Sequence, residues 1–106
     1  MPSIHFKCVD HLNLHRVSDD EYESGNWVVT PADAQRLIGG MLYLHNTKSE
    51  RSYFGGKIKS ARQVRTNDRI PDRIVFRFVP LSEARGVRWR GIDHINAHQS
   101  GVVEDE

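Results

Sequence analysis

At 106 residues, 38% hydrophobic and 27% charged, the chain is long enough and apolar enough to bury a core without staples. Its single cysteine, Cys8, excludes an intrachain disulfide, and no stretch has the length and apolarity of a membrane span or a secretory leader. The expected setting is therefore a soluble, cytoplasmic domain with no membrane partner.

The net charge of +1 conceals a division. Between Lys48 and Arg90 stand twelve Lys and Arg against four Asp and Glu, a net +8, which leaves −7 for the rest. Such a block is the footprint of a polyanion-binding surface. It equally describes a solvated basic surface balanced by the acidic stretch Asp19 to Glu23 and the acidic end Glu104 to Glu106.

In chain order, Ile4, Phe6 and Cys8 alternate with polar neighbours and predict a strand. His11 to His15 continues the alternation, with Leu12 and Leu14 on one face, and Ser18 to Gly25 reads as a polar loop. Asn26-Trp27-Val28-Val29 predicts a short apolar strand. Thr30 has the character of a helix N-cap, with Pro31 at the first helical position and Asp33 closing a capping box. Ala34, Leu37 and Ile38 give that helix its apolar side, and Gly39-Gly40 stops it.

Met41 to His45 predicts a strand apolar on both faces, followed by a polar loop from Asn46 to Phe54. Gly55-Gly56 permits a sharp reversal or a close backbone approach. Lys57 to Arg65 predicts a basic strand and Thr66 to Asp72 a turn. Arg73 to Val79 is a strand with Ile74, Phe76 and Phe78 inward and Arg73 and Arg77 outward. Ser82 to Arg85 predicts a single turn, and Gly86 to Arg90 a last strand with Val87 and Trp89 on one face. Residues 1–98 are expected as one domain, with 99–106 an acidic, frayed end. The fold class is mostly β with one short helix (α+β), a small, partly closed barrel.

Three features resemble the PUA-like superfamily, which includes the PUA, ASCH, EVE and YTH domains. They are the Trp-bearing strand Asn26-Trp27-Val28-Val29, the capped helix running through Leu37-Ile38-Gly39-Gly40 into Met41 to His45, and the returning segment Gly55-Gly56-Lys57-Ile58. The resemblance covers about half the chain, and Gly39-Gly40 stands where the family usually has Gly-Asp. It implies a small barrel that binds RNA or modified DNA, or else a small nucleoside amidohydrolase of ASCH type that uses a Lys, a Thr or Ser, and a Glu. Lys48, Ser49 and Glu50 supply those types but form no recognisable triad, so no catalytic residue is assigned.

The densest functional candidate is the stretch from Tyr43 to Gly56. It combines stacking planes, hydrogen-bonding groups and positive charge, as a single-stranded or flipped base requires. Tyr43, His45, Asn46, Lys48, Ser52, Tyr53 and Phe54, with Trp27 as a further wall, form that ligand-binding set. The alternative is that the aromatics pack the end of the barrel, and Trp27 and Trp89 fit a core role as well. Lys57, Lys59, Arg62, Arg65, Arg73, Arg77, Arg88 and Arg90 are candidates for contacts to a nucleic-acid backbone, and adjacent strands are expected to gather the arginines on one face.

Two segments, Asp10-His11-Leu12-Asn13-Leu14-His15 and Asp93-His94-Ile95-Asn96-Ala97-His98, repeat Asp, His, Asn and His at the same offsets. His11, His15, His94 and His98 are the candidate metal ligands, although no cysteine or acidic residue completes a familiar spacing. No cofactor motif is present. The functions to be weighed are a nucleic-acid-binding module reading a base, a nucleoside or nucleobase hydrolase, and a protein-interaction module such as a nuclease modulator.

Overall fold

The structure, a computed structural model, describes residues 2–47, 49–67, 69–90 and the backbone of 100–103. Among the described residues seven strands and one α-helix are formed. They are β1 (Ser3–Lys7), β2 (Leu14–Ser18), β3 (Glu21–Trp27), α1 (Pro31–Leu37), β4 (Met41–His45), β5 (Phe54–Arg65), β6 (Asp72–Pro80) and β7 (Ser100–Val103). The protein is mostly β with one short helix, as its alternating apolar segments predict.

All strands belong to one sheet, ordered β2-β3-β6-β5-β4-β1-β7. Neighbours run antiparallel except β1 and β4, which are parallel, with Ile4 opposite Leu42 and Phe6 opposite Leu44. Period-2 alternation gives the inner face Ile4, Phe6, Leu42, Leu44, Ile58, Ile74, Phe76 and Phe78, all within 3% of full burial. Ala34 and Leu37 of α1 cap this cluster. The helix begins as its sequence dictates, with the Asp33 N–H donating to the Thr30 hydroxyl at 3.1 Å. The Asp33 carboxylate pairs with Arg36 at 2.7 Å.

The sheet is curled and remains open. In its order β4, β5 and β6 separate β1 from β3, yet Phe6 of β1 stacks on Trp27 of β3 at 4.0 Å and 9°. Only strong coiling brings those strands face to face. Side-chain packing bridges this seam, and no strand ladder runs across it among the described residues.

Four expectations are corrected. His11 to Asn13 leave the strand pattern: Asp10, His11 and Asn13 each have φ of 57°, and Leu12 is exposed. The polar stretch 18–25 is a hairpin, because β3 runs through it with its acids on the outer face, and β2 pairs with it. Gly86 to Arg90 is irregular chain, held by Gly86 N–H to Ser52 O and Ser52 N–H to Val87 O, each 2.8 Å. Finally, Ser100–Val103 of the segment expected to fray pairs antiparallel with β1, whose edge needs a partner. Among the described residues no helix is long and apolar enough to cross a membrane.

Gly55-Gly56 is a close approach within β5. A Cβ on Gly56 would stand 1.9 Å from the Val79 carbonyl oxygen, which is backbone and cannot yield without parting β5 from β6. Gly56→Ala should therefore destabilise the fold by about 1–3 kcal/mol or more, read as a lower midpoint in urea denaturation. An unchanged midpoint would show that the ladder can relax there.

Candidate nucleotide cleft at the sheet seam

Where the curled sheet fails to close, a cleft of about 460 Å³ opens between the end of β1 and the end of β3. That volume suits one small-molecule-sized group. Trp27 is half-buried, with one face covered by Phe6 and its indole N–H donating to the Ser24 hydroxyl at 3.0 Å. Exposed Val9, Leu12 and Val28 extend the apolar wall, and Lys7 and Arg73 supply positive charge. Arg73 is anchored by the Ile70 carbonyl at 2.8 Å and the Asn26 carbonyl at 3.4 Å.

Local backbone geometry builds this opening. Between Ser24 and Trp27 the pairing of β3 with β6 shifts register, so Gly25 and Asn26 form a bulge beside the cleft. Bulges re-aim side chains in this way. Asn13 faces it from the left-handed turn after β1, joined to the bulge by Gly25 N–H to Asn13 O at 3.2 Å. Non-glycine residues at positive φ are uncommon, and Asp10, His11 and Asn13 set three of them in the turn that brings Leu12 and Asn13 to the cleft.

The predicted loop site is built differently. Tyr43, His45 and Ser52 are buried. Ser52 Oγ donates to the Ala84 carbonyl at 2.6 Å and accepts from Val87 N–H at 2.9 Å, which straps the 81–90 segment to the sheet. Tyr53 donates from its hydroxyl to the Cys8 carbonyl at 2.7 Å and touches His11 edge-on. Phe54 packs on Tyr22 and Phe78, with the Arg85 guanidinium 5.4 Å from its ring. Asn46 is exposed, and Lys48 lies outside the described residues. Of the predicted ligand set, Trp27 lines the open cleft, and Tyr53 lies behind it against Cys8.

The basic residues do not gather on one face. Glu21 and Glu23 sit on the outer face of β3, opposite the cations of β5 and β6. Glu21 accepts from Lys59 and Arg77 together. Glu23 accepts from Arg62 at 3.0 and 3.3 Å. These partners hold both carboxyls below their ordinary range, Glu21 through hydrogen bonds from Lys59 and then Arg77, and Glu23 through Arg62. Arg65 stands 3.9 Å from Asp72 at the exposed β5–β6 turn. Arg90 lies over Tyr43 and donates to Ser3 Oγ at 3.2 Å, on the β1–β4 side and away from Arg73 and Arg77. Lys57 and Arg88 are exposed. Glu21 and Glu23 of the acidic stretch are thus counter-charges of Lys59, Arg62 and Arg77, while Asp19 stands 3.7 Å from Arg16, outside the basic block.

The predicted histidine cluster falls partly outside the described residues. His11 and His15 lie in the turn after β1 and on β2, while His94 and His98 fall outside the described residues. Among the described residues no three His, Cys, Asp or Glu side chains gather to hold a metal.

Two other histidines form a cluster: His45 belongs to the predicted ligand set, whereas sequence reasoning misses its partner His5, because a histidine flanked by apolar residues carries no sign of its partner. His45 Nδ1 lies 2.9 Å from the Glu50 carbonyl and must donate to it. Its Nε2 then accepts from His5 Nδ1 at 2.9 Å. This leaves His5 Nε2 a buried lone pair with no partner among the described residues. Tyr43 stacks on His5 at 4.7 Å, and Trp89 packs against both imidazoles, tilted to His5 and edge-on to His45.

Compared with known protein families, with curated proteins and with solved structures, the chain matches none.

The buried pair makes the fold acid-sensitive. Burial, then the charges of His45 and Arg90, push His5 down to about 3 from 6.5, and burial lowers His45 as well. The unfolded chain takes up these protons near pH 6.5, whereas the folded chain resists them. Stability should therefore fall as pH drops below 6.5, by up to about 1.4 kcal/mol per pH unit for each histidine. Urea denaturation between pH 7 and 5, above the carboxylate range, should show this slope, and His5→Gln should flatten it. An identical slope in the variant would rule out His5 as the source.

Proposed function

We propose that this protein is a nucleic-acid-binding module that holds one unstacked base of a single strand in the seam cleft. The observation that carries the reading is the composition of the cleft: an indole plane and aliphatic wall, two asparagine amides, and Lys7 and Arg73 within one opening of about 460 Å³. An aromatic plane beside a backbone-neutralising charge is the common device for single-stranded binding. The proposal places the phosphate contacts at the cleft, where Lys7 and Arg73 line the same opening as the indole. The resemblance to the PUA-like superfamily belongs to the same proposal, supported by the curled sheet and the capped helix between β3 and β4.

The test is fluorescence anisotropy with a mixed-sequence single-stranded oligonucleotide. Binding at low salt should weaken steeply as salt rises, because cations on the protein displace condensed counterions. Trp27→Ala should cost about tenfold or more in affinity, the scale of one lost base stack. Lys7→Ala should weaken binding more modestly and lower the salt slope by about 0.7. If RNA and DNA strands both fail to bind at low salt, the proposal fails.

A further inference from the structure

The seam cleft is not isolated. A second cleft of about 210 Å³ adjoins it, and the two share Asn13, Gly25 and Asn26. A Cβ on Gly25 would lie 2.6 Å from Val75 Cγ2, so the bare glycine lets the backbone press against β6 at the boundary between them. The linings differ in kind. The large cleft has the indole, the aliphatic wall and two cations. The small one has no indole or phenyl ring, and its wall carries the His15 imidazole, Glu23 and Arg62 beside the shared asparagines.

Arg62 donates to both oxygens of Glu23, so this wall is close to neutral. A carboxylate in the wall repels phosphate, which leaves the phosphate to Lys7 and Arg73. Each carboxylate oxygen has a further lone pair beyond its bond to Arg62 and can accept from an N–H. Asparagine amides both donate and accept, as base edges do.

Resting on the nucleotide reading above, we infer that the two clefts form one track for two consecutive nucleotides of a single strand, with the first base on Trp27 and the second read in the small cleft, where Glu23 selects a base bearing an exocyclic amino group. The selection has a physical basis on both sides. An amino group donates to the carboxylate, whereas a keto oxygen in the same place sets lone pairs against a negative charge. Cytosine and uracil differ by this exchange and are the natural pair to compare.

The full chain is titrated at low salt with uridine monophosphate and with the dinucleotides UpU, UpC and CpU, followed by calorimetry or NMR. UpU should bind more tightly than the monophosphate. One of the two cytosine-bearing dinucleotides should exceed UpU by about fivefold or more, the scale of one good base-edge contact. Glu23→Gln should lose this preference and keep UpU binding. Asn13→Gly, which accepts the left-handed backbone, should weaken monophosphate and dinucleotide together, because Asn13 lines both clefts. Equal affinity for monophosphate and dinucleotides, absence of a cytosine preference, or a preference that survives Glu23→Gln would overturn the inference and leave the seam cleft standing. Failure of every probe to bind would remove the nucleotide reading with it.

Discussion

The contact between Phe6 and Trp27 is the constraint on which the rest of this structure depends. A sheet with two free edges can splay, close by hydrogen bonds, or curl until side chains meet across the gap. Here it curls, and two aromatic rings stacked at 4.0 Å fix how far. The seam is shut below this stack, by packing on the inner cluster of Phe76, Leu44 and Ile4. Beyond it the strands diverge and leave an opening. The same indole therefore completes the core with one face and contributes to the cleft with its remaining surface. A ladder closing the seam would have removed the cleft, and a wider gap would have exposed the core.

Charge is organised by the same topology. Because β3 lies beside β6, and β6 beside β5, the acids Glu21 and Glu23 stand opposite Lys59, Arg62 and Arg77 across the outer face. Partly exposed ion pairs of this kind add little to stability. Their larger consequence is electrostatic: the outer face of β3, β6 and β5 is a mixed surface, and Lys7 and Arg73 stand at the opening of the seam.

The other side of the sheet is held by a second small core. Tyr43, His5, His45 and Trp89 form a buried cluster under the segment that Ser52 straps down. Its hydrogen bonds run in one direction, from His5 through His45 to the Glu50 carbonyl, and His45 must be neutral for its Nε2 to accept. β1 is thereby buried on both faces, as the parallel partner of β4 in a sheet interior should be.

The local elements were largely legible from sequence. Alternation identified β1 and β6, a short apolar run identified β4, the Thr30-Pro31 pair placed the start of α1, and Gly55-Gly56 announced a close approach, because each depends on neighbours within a few residues. Hydrophobic patterning could also name Trp27 as worth attention. It could not say that Trp27 would line the opening while Tyr43 and His45 would be buried, since that depends on how far β1 curls toward β3. It likewise misread 18–25 as a loop, because acids on an outer strand face look like solvated turn residues until their partners on β5 and β6 are known. Local chemistry fixes which segments extend and which turn. Only the coiling of the sheet decided which charges cancel, which histidines meet, and where the fold stays open, because those outcomes pair residues about twenty to fifty-six positions apart in the chain.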